Sequence, residues 1–177
     1  GLNNADTLKS HGLADFIIFP RYTIFKRSNE NSKTEGTIGI GLKFPIGKHD
    51  DSALVYTDPL TGHQLFTIMP PLLQPSNGSK DVIFYGFFIH TFIPQKLRIF
   101  ANAIYINKGW NSLGEKFGNY TSTGLFIGKT LFKNTNATIQ LKTEHIAPMQ
   151  AAKKIDLVAL YNVDIRATGS TKISIVP

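Results

Sequence analysis

Thr37-Ile38-Gly39-Ile40-Gly41-Leu42-Lys43-Phe44-Pro45-Ile46-Gly47 alternates almost without a fault. Ile38, Ile40, Leu42, Phe44 and Ile46 fall on one side, and Thr37, Gly39, Gly41, Lys43 and Gly47 on the other. A period of two over about ten residues marks a strand with two unlike faces. The apolar face has no polar break, and the opposite face is mostly glycine with one cation. A strand with lipid on one side and a lumen on the other has this character, whereas a soluble sheet seldom does.

Further segments of similar length follow the same rule. The first runs from Ala14 to Lys26, with Phe16, Ile18, Tyr22 and Ile24 opposite Asp15, Arg21 and Thr23. Val82 to Ile93 is rich in aromatics on both sides. Leu97 to Asn107 sets Leu97, Ile99, Ala101, Ala103 and Tyr105 against Arg98, Asn102 and the following Lys108. Tyr120 to Phe132 is ambiguous in phase. Ala137 to Ile146 sets Ala137, Ile139 and Leu141 against Thr138, Gln140, Lys142 and Glu144. Leu157 to Ala167 reads as a seventh strand, with Asn162, Asp164 and Arg166 on its polar side, and an eighth begins at Lys172. No helix-period segment competes; Met149 to Leu160 comes nearest but is short and uncapped.

Long and short connections alternate. Arg27 to Thr34, Pro94 to Lys96, Lys133 to Asn136 and Thr168 to Thr171 are short or moderate and made of turn-forming residues. Lys48 to Asp81, Gly109 to Asn119 and Ala147 to Asp156 are longer. Sequential antiparallel strands put every second connection on the same rim, so one rim carries short turns and the other long loops. Outer-membrane barrels sort their connections in this way, and a β-sandwich has no reason to. The expected fold is therefore all-β, an antiparallel up-and-down transmembrane β-barrel of about seven to eight strands. The expected organisation is a single β-barrel domain over 1–177. Residues 48–80 form a long extracellular loop that Pro59, Pro70, Pro71 and Pro75 keep out of regular sheet. Such a strand set cannot close an even-numbered barrel, so truncation at both ends is expected.

Composition agrees with this reading without demanding it. Hydrophobic residues make up 42% of the 177, and no apolar run is long enough for a membrane helix. The net charge is +7, but the cations are scattered, with no run longer than a pair such as Lys153-Lys154. That pattern suits exposed and lumen cations better than a nucleic-acid site, and a basic lumen favouring anions is a further option. Cysteine is absent, which removes thiolate chemistry. There is no G-x-S-x-G turn and no phosphate-binding glycine loop before a helix, so no enzyme activity and no cofactor are expected. His49, Asp50, Asp51 and His63 share one loop, but exposed loop clusters of this kind seldom hold a metal.

Leu73-Gln74-Pro75-Ser76-Asn77-Gly78-Ser79-Lys80-Asp81, leading into the aromatic strand, resembles the "LQPGTGS-x-D" element of the MetA-pathway phenol-degradation (transporter) family of bacterial outer-membrane channels. Gly12-Leu13-Ala14-Asp15 with Pro20-Arg21-Tyr22 is similar to that family's "GLGD…RY" strand, and Gly41 to Gly47 to its "GLK-x-P-x-G" ending. Ala14 replaces a glycine, and Ser76-Asn77 replaces Gly-Thr. The resemblance implies a porin-like channel in the bacterial outer membrane for passive transport of small, hydrophobic or aromatic molecules. Its partners would be outer-membrane lipid and a small-molecule solute, with no nucleic acid.

Charges near the middle of a lipid-facing wall cost several kcal/mol, so they are expected to face inward or lie at a rim. The candidate lumen-lining residues are Arg21, Lys43, Phe84, Phe88, His90, Arg98, Asn102, Lys142, Glu144, Asp164 and Arg166. Phe84 and Phe88 enter this set on the expectation that the face with Gly86 and His90 is the lumen. The charges either select solutes or pair with one another. Tyr105 and Trp110, near a strand end, are candidate interface aromatics. The reading from another class is a soluble lipocalin-like β-barrel with a hydrophobic ligand in its interior. The two differ in which face is apolar: a channel is apolar outside and mixed inside, and a lipocalin-like barrel is the reverse.

Overall fold

The computed structural model describes residues 10–69, 73–132, 135–156 and 164–176. In chain order the strands are β1 (Phe16–Ile18), β2 (Arg21–Ser28), β3 (Ser32–Phe44), β4 (Ser52–Thr57), β5 (Gln64–Ile68), β6 (Asp81–Phe92), β7 (Leu97–Asn107), β8 (Glu115–Lys116), β9 (Tyr120–Phe132), β10 (Thr135–Ile146), β11 (Gln150–Ala151) and β12 (Ser170–Val176). The protein is all-β and every strand pairing is antiparallel. The main sheet runs β1-β3-β6-β7-β9-β10-β12, with β2 also on β3. Among the described residues it is open, with β1 and β2 at one edge and β12 at the other.

The opening stretch lies at the heart of β3. Its alternation begins earlier than expected, at Ser32, and stops at Phe44, because Pro45 cannot donate to the ladder. The expected first strand is two strands. Pro20 interrupts pairing between Ile18 and Arg21, and Ile24 is left unpaired where the register slips between Thr23 and Phe25. Phe16, Ile18 and Tyr22 still share the face of Ile38, and beyond the bulge Phe25 takes the place expected of Ile24.

Register carries that face across the sheet. Ile38 pairs with Gly86, Gly86 with Ala103, Ala103 with Thr123, Thr123 with Thr143, and Thr143 with Ile173. One rung along, Ile40, Phe84 and Tyr105 align; one rung the other way, Gly36, Phe88, Ala101, Leu125, Leu141 and Ile175. Ile38, Ile40, Phe84, Leu125, Leu141 and Ile175 are all exposed. From Thr34 to Leu42 this face extends about 27 Å along the strand at about 3.4 Å per residue.

β10 pairs with β12 from Gln140–Val176 to Ile146–Ser170. A seventh strand is expected over Leu157 to Ala167. Residues 157–163 of that segment lie outside the described residues, and Ile165–Thr168 is a short 3₁₀ helix. The loop over 48–80, expected to be irregular, contains the β4–β5 hairpin. Its Pro59 sits between the two strands, where no ladder bond is needed. The connections β2–β3, β6–β7 and β9–β10 share one rim and are short; β3–β6, β7–β9 and β10–β12 share the other and are long.

Candidate functional site

The opposite face of the sheet is mixed, and its glycines make room for rings. A Cβ on Gly41 would lie 2.6 Å from a ring carbon of Phe19, and one on Gly39 would lie 2.9 Å from Cγ of Arg21. Phe19 therefore folds back from the β1–β2 break onto bare backbone. Its ring meets Tyr85 edge-on at 5.9 Å between centroids, and the Arg21 guanidinium sits over both rings at 5.7 and 6.0 Å. Arg21 gains cation–π contact there in place of a carboxylate. Farther across the sheet, Phe87 lies 6.4 Å from Phe100, and Phe100 stacks on its register partner Phe126 at 4.2 Å and 11°. Gly124 leaves space for Phe126 and for the amide of Asn102. The mixed face thus carries an aromatic track bordered by polar groups.

At the long-loop rim the same face holds a buried ionic cluster. Lys43 Nζ lies 2.8 Å from Asp15 and 2.9 Å from Asp81, and Lys108 Nζ lies 3.1 Å from Asp81. Asp81 is essentially inaccessible and Lys43 nearly so. Asp81 also accepts from the Ser79 hydroxyl at 2.6 Å and the Gly109 amide at 3.1 Å, while Lys43 donates to the side chain of Asn77. The two lysines balance the two aspartates, which is what allows burial of Lys43 and Asp81, with Asp15 and Lys108 half-buried around them. The string Leu73 to Asp81 thus brings its polar residues to Lys43. The loop after β7 is tied in by Asn111, whose amide donates to Asn77 O at 3.2 Å and to the buried Glu115 at 2.9 Å.

The candidate residues from the sequence separate into three groups. Arg21, Lys43, Arg98, Asn102, Lys142 and Glu144 lie on the mixed face. Phe84, Phe88 and His90 lie on the isoleucine face, which corrects the expectation that they share a wall with Lys43. β6 is aromatic on both sides, so its phase is visible only through register, and Ile40 pairs with Phe84. His90 bonds Thr34 Oγ1 at 2.7 Å on that apolar face. Asp164 precedes the 3₁₀ helix and Arg166 lies within it, both outside the main sheet. Lys142 and Glu144 pair at 2.9 Å, and Tyr120 donates to Glu144 at 2.7 Å.

Phe19, Phe87, Phe100 and Phe126 lie on the mixed face and are absent from the candidates read from the sequence. Phe126 and Phe100 alternate with aliphatic residues and so share a face with Gly124, Gly128 and Asn102, a signal that is present but weak. In the loop, His49 bonds Ser112 at 2.7 Å, and Asp51 takes a hydroxyl from Ser10 and the ammonium of Lys48 at 2.9 Å. Those two bonds, Ser10 first, hold the Asp51 carboxyl below its ordinary range. Comparison of the chain with family models, curated proteins and solved structures finds no match. The fold and site by themselves define an antiparallel β-wall with one largely apolar face, interrupted by the Thr123–Thr143 and Thr34–His90 pairs, and one mixed, aromatic-lined face.

Proposed function

We propose that the chain forms part of the wall of an outer-membrane β-barrel channel that passively conducts small, hydrophobic or aromatic molecules. The observation that carries the reading is the division of the sheet. An exposed apolar face about as tall as a bilayer's hydrocarbon band of about 25 Å backs a face that carries the charges and the aromatic track. The ordering of long and short connections supports it, as does the exposure of Tyr105 and Trp110 at the long-loop end. The resemblance around Leu73 to Asp81 points the same way. In this reading the β1–β2 edge and the β12 edge are both paired by further strands, since lipid tolerates no open edge.

Against a lipocalin-like interior stands the location of the loops. Phe19 and the segment at Asn77 to Ser79 cover the mixed face, while the aliphatic side chains are left bare. The decisive experiment is reconstitution of the full chain into lipid vesicles with measured entry of a fluorescent single-ring aromatic and of a sugar. Faster entry of the aromatic, abolished without protein, is expected. Monodisperse protein in buffer without detergent, together with inert vesicles, overturns the proposal.

A further inference from the structure

A cavity of about 440 Å³ lies at the short-turn end of the sheet, lined in part by Thr91, Lys96, Arg98, Phe100, Thr130 and Thr138. Its volume is within the roughly 300–1,000 Å³ of small-molecule sites. Thr91, Arg98, Gly128 and Thr138 form one rung of the mixed face, in the order β6, β7, β9, β10. Gly128 is the reason the rung is hollow: it offers no side chain, and the position a Cβ would take is 3.3 Å from Thr138 Oγ1. On the next rung stands Phe100, its orientation set by stacking on Phe126.

Arg98, like Lys33 and Lys172 on the same face, lacks among the described residues the partners that engage the remaining cations there. Lys43 and Lys142 each have a carboxylate partner, and Arg21 has two rings, but among the described residues no ion pair engages Arg98. A second cation stands at the cavity's margin. Lys96 adopts φ 49°, a left-handed conformation that a lysine seldom takes, and its carbonyl accepts from the Thr130 amide at 3.0 Å. That bond fastens the β6–β7 turn to β9 and holds the lysine at the cavity.

We propose that this cavity is a binding site for a small aromatic carboxylate. The guanidinium of Arg98 offers a planar fork that matches a carboxylate's two oxygens. The hydroxyls of Thr91 and Thr138 supply donors to its remaining lone pairs, the Thr130 hydroxyl being taken by Asn136 at 2.7 Å, and Phe100 supplies a face for its ring. The inference deepens the channel reading and rests on it, since it places a selective station at one end of the aromatic track.

The test uses benzoate and benzyl alcohol as probes, with binding to the full chain measured by calorimetry in detergent micelles and, in parallel, in buffer alone. Arg98→Gln is expected to weaken benzoate by about tenfold, the loss of a charge-assisted bidentate pair, and to leave benzyl alcohol unchanged within about twofold. Arg98→Lys keeps the charge but not the fork and should recover part of the benzoate affinity, which a fold defect would not allow. Phe100→Leu should weaken both probes. Benzoate binding that is indifferent to Arg98→Gln overturns the site, as does loss of both probes in Arg98→Gln with no recovery in Arg98→Lys. Vesicle entry is read separately: entry without benzoate binding removes the site alone, and benzoate binding without entry removes the channel alone.

Discussion

Lys43 and Asp81 are register partners on the last rung between β3 and β6, with Nζ 2.9 Å from Oδ2 and almost no water reaching either. Each has a second partner of opposite sign, Asp15 for the lysine and Lys108 for the aspartate. The pair pins the start of β6, and with it the loop that ends at Ser79, to the end of β3.

Breaking that pair from one side leaves a buried charge. Asp81→Asn is expected to cost about 3 kcal/mol, because Asp15 compensates Lys43 only in part. Combining it with Lys43→Met should cost less than the sum of the single changes by about 1–3 kcal/mol. Urea midpoints followed by far-ultraviolet circular dichroism, in the medium that keeps the protein folded, give both numbers. Additive effects would mean the two residues act independently.

The two kinds of glycine in the wall should respond oppositely. Gly41→Val drives carbon into the Phe19 ring and toward Ile83, and should destabilise by about 1–3 kcal/mol. Shortening the obstruction with Phe19→Ala should recover part of that loss. Gly86, on the isoleucine face, has nothing within 4 Å of its Cβ position, so Gly86→Ala should change stability by less than about 0.5 kcal/mol. The same denaturation series compares them.

Ile38 lies midway along the exposed apolar face, with half its surface accessible. Ile38→Lys should cost about 2–4 kcal/mol when folding is measured into vesicles, as for a lysine at the bilayer midplane. Thr37→Lys, on the mixed face, should cost much less. Equal costs for the two variants would remove the assignment of lipid to the isoleucine side.

The β4–β5 hairpin should loosen in acid. Asp58 accepts from the Thr61 hydroxyl and from the Leu60 amide at 2.9 Å, and these bonds, Thr61 first, lower its carboxyl below the ordinary 3.8. A carboxyl depressed on folding contributes stability above its unfolded value, and that contribution is lost as pH falls through the folded value. Amide exchange at Leu60 should therefore speed up, relative to the intrinsic rate, only below pH 3.8. Asp58→Asn should remove the dependence.

Much of this fold was legible in one dimension. Leu97–Asn107 has the bounds its alternation implies, because a strand with one apolar face repeats every second residue wherever it runs, and Tyr120–Phe132 has the expected bounds although its phase is ambiguous in the sequence. The grouping of Lys43, Arg98, Asn102, Lys142 and Glu144 on one face followed from the same rule. Period alone failed where both faces of a strand are apolar, as in β6, and where the period slips, as at Ile24. It also gave no warning of the β4–β5 hairpin, whose strands are short and flanked by proline.

The sequence by itself determined that this protein is built of antiparallel strands with unlike faces, since that information is local and repeats every two residues. Only the tertiary structure decided which aromatics share a wall with the charges, because that depends on cross-strand register: Ile40 meeting Phe84 sends Tyr85 and Phe87 to the other side. It likewise decided that β10 pairs with β12, and that Asp15, Lys43 and Lys108 converge with the buried Asp81 in one ionic knot. Pairings between residues far apart in the chain leave no mark on the spacing of either partner.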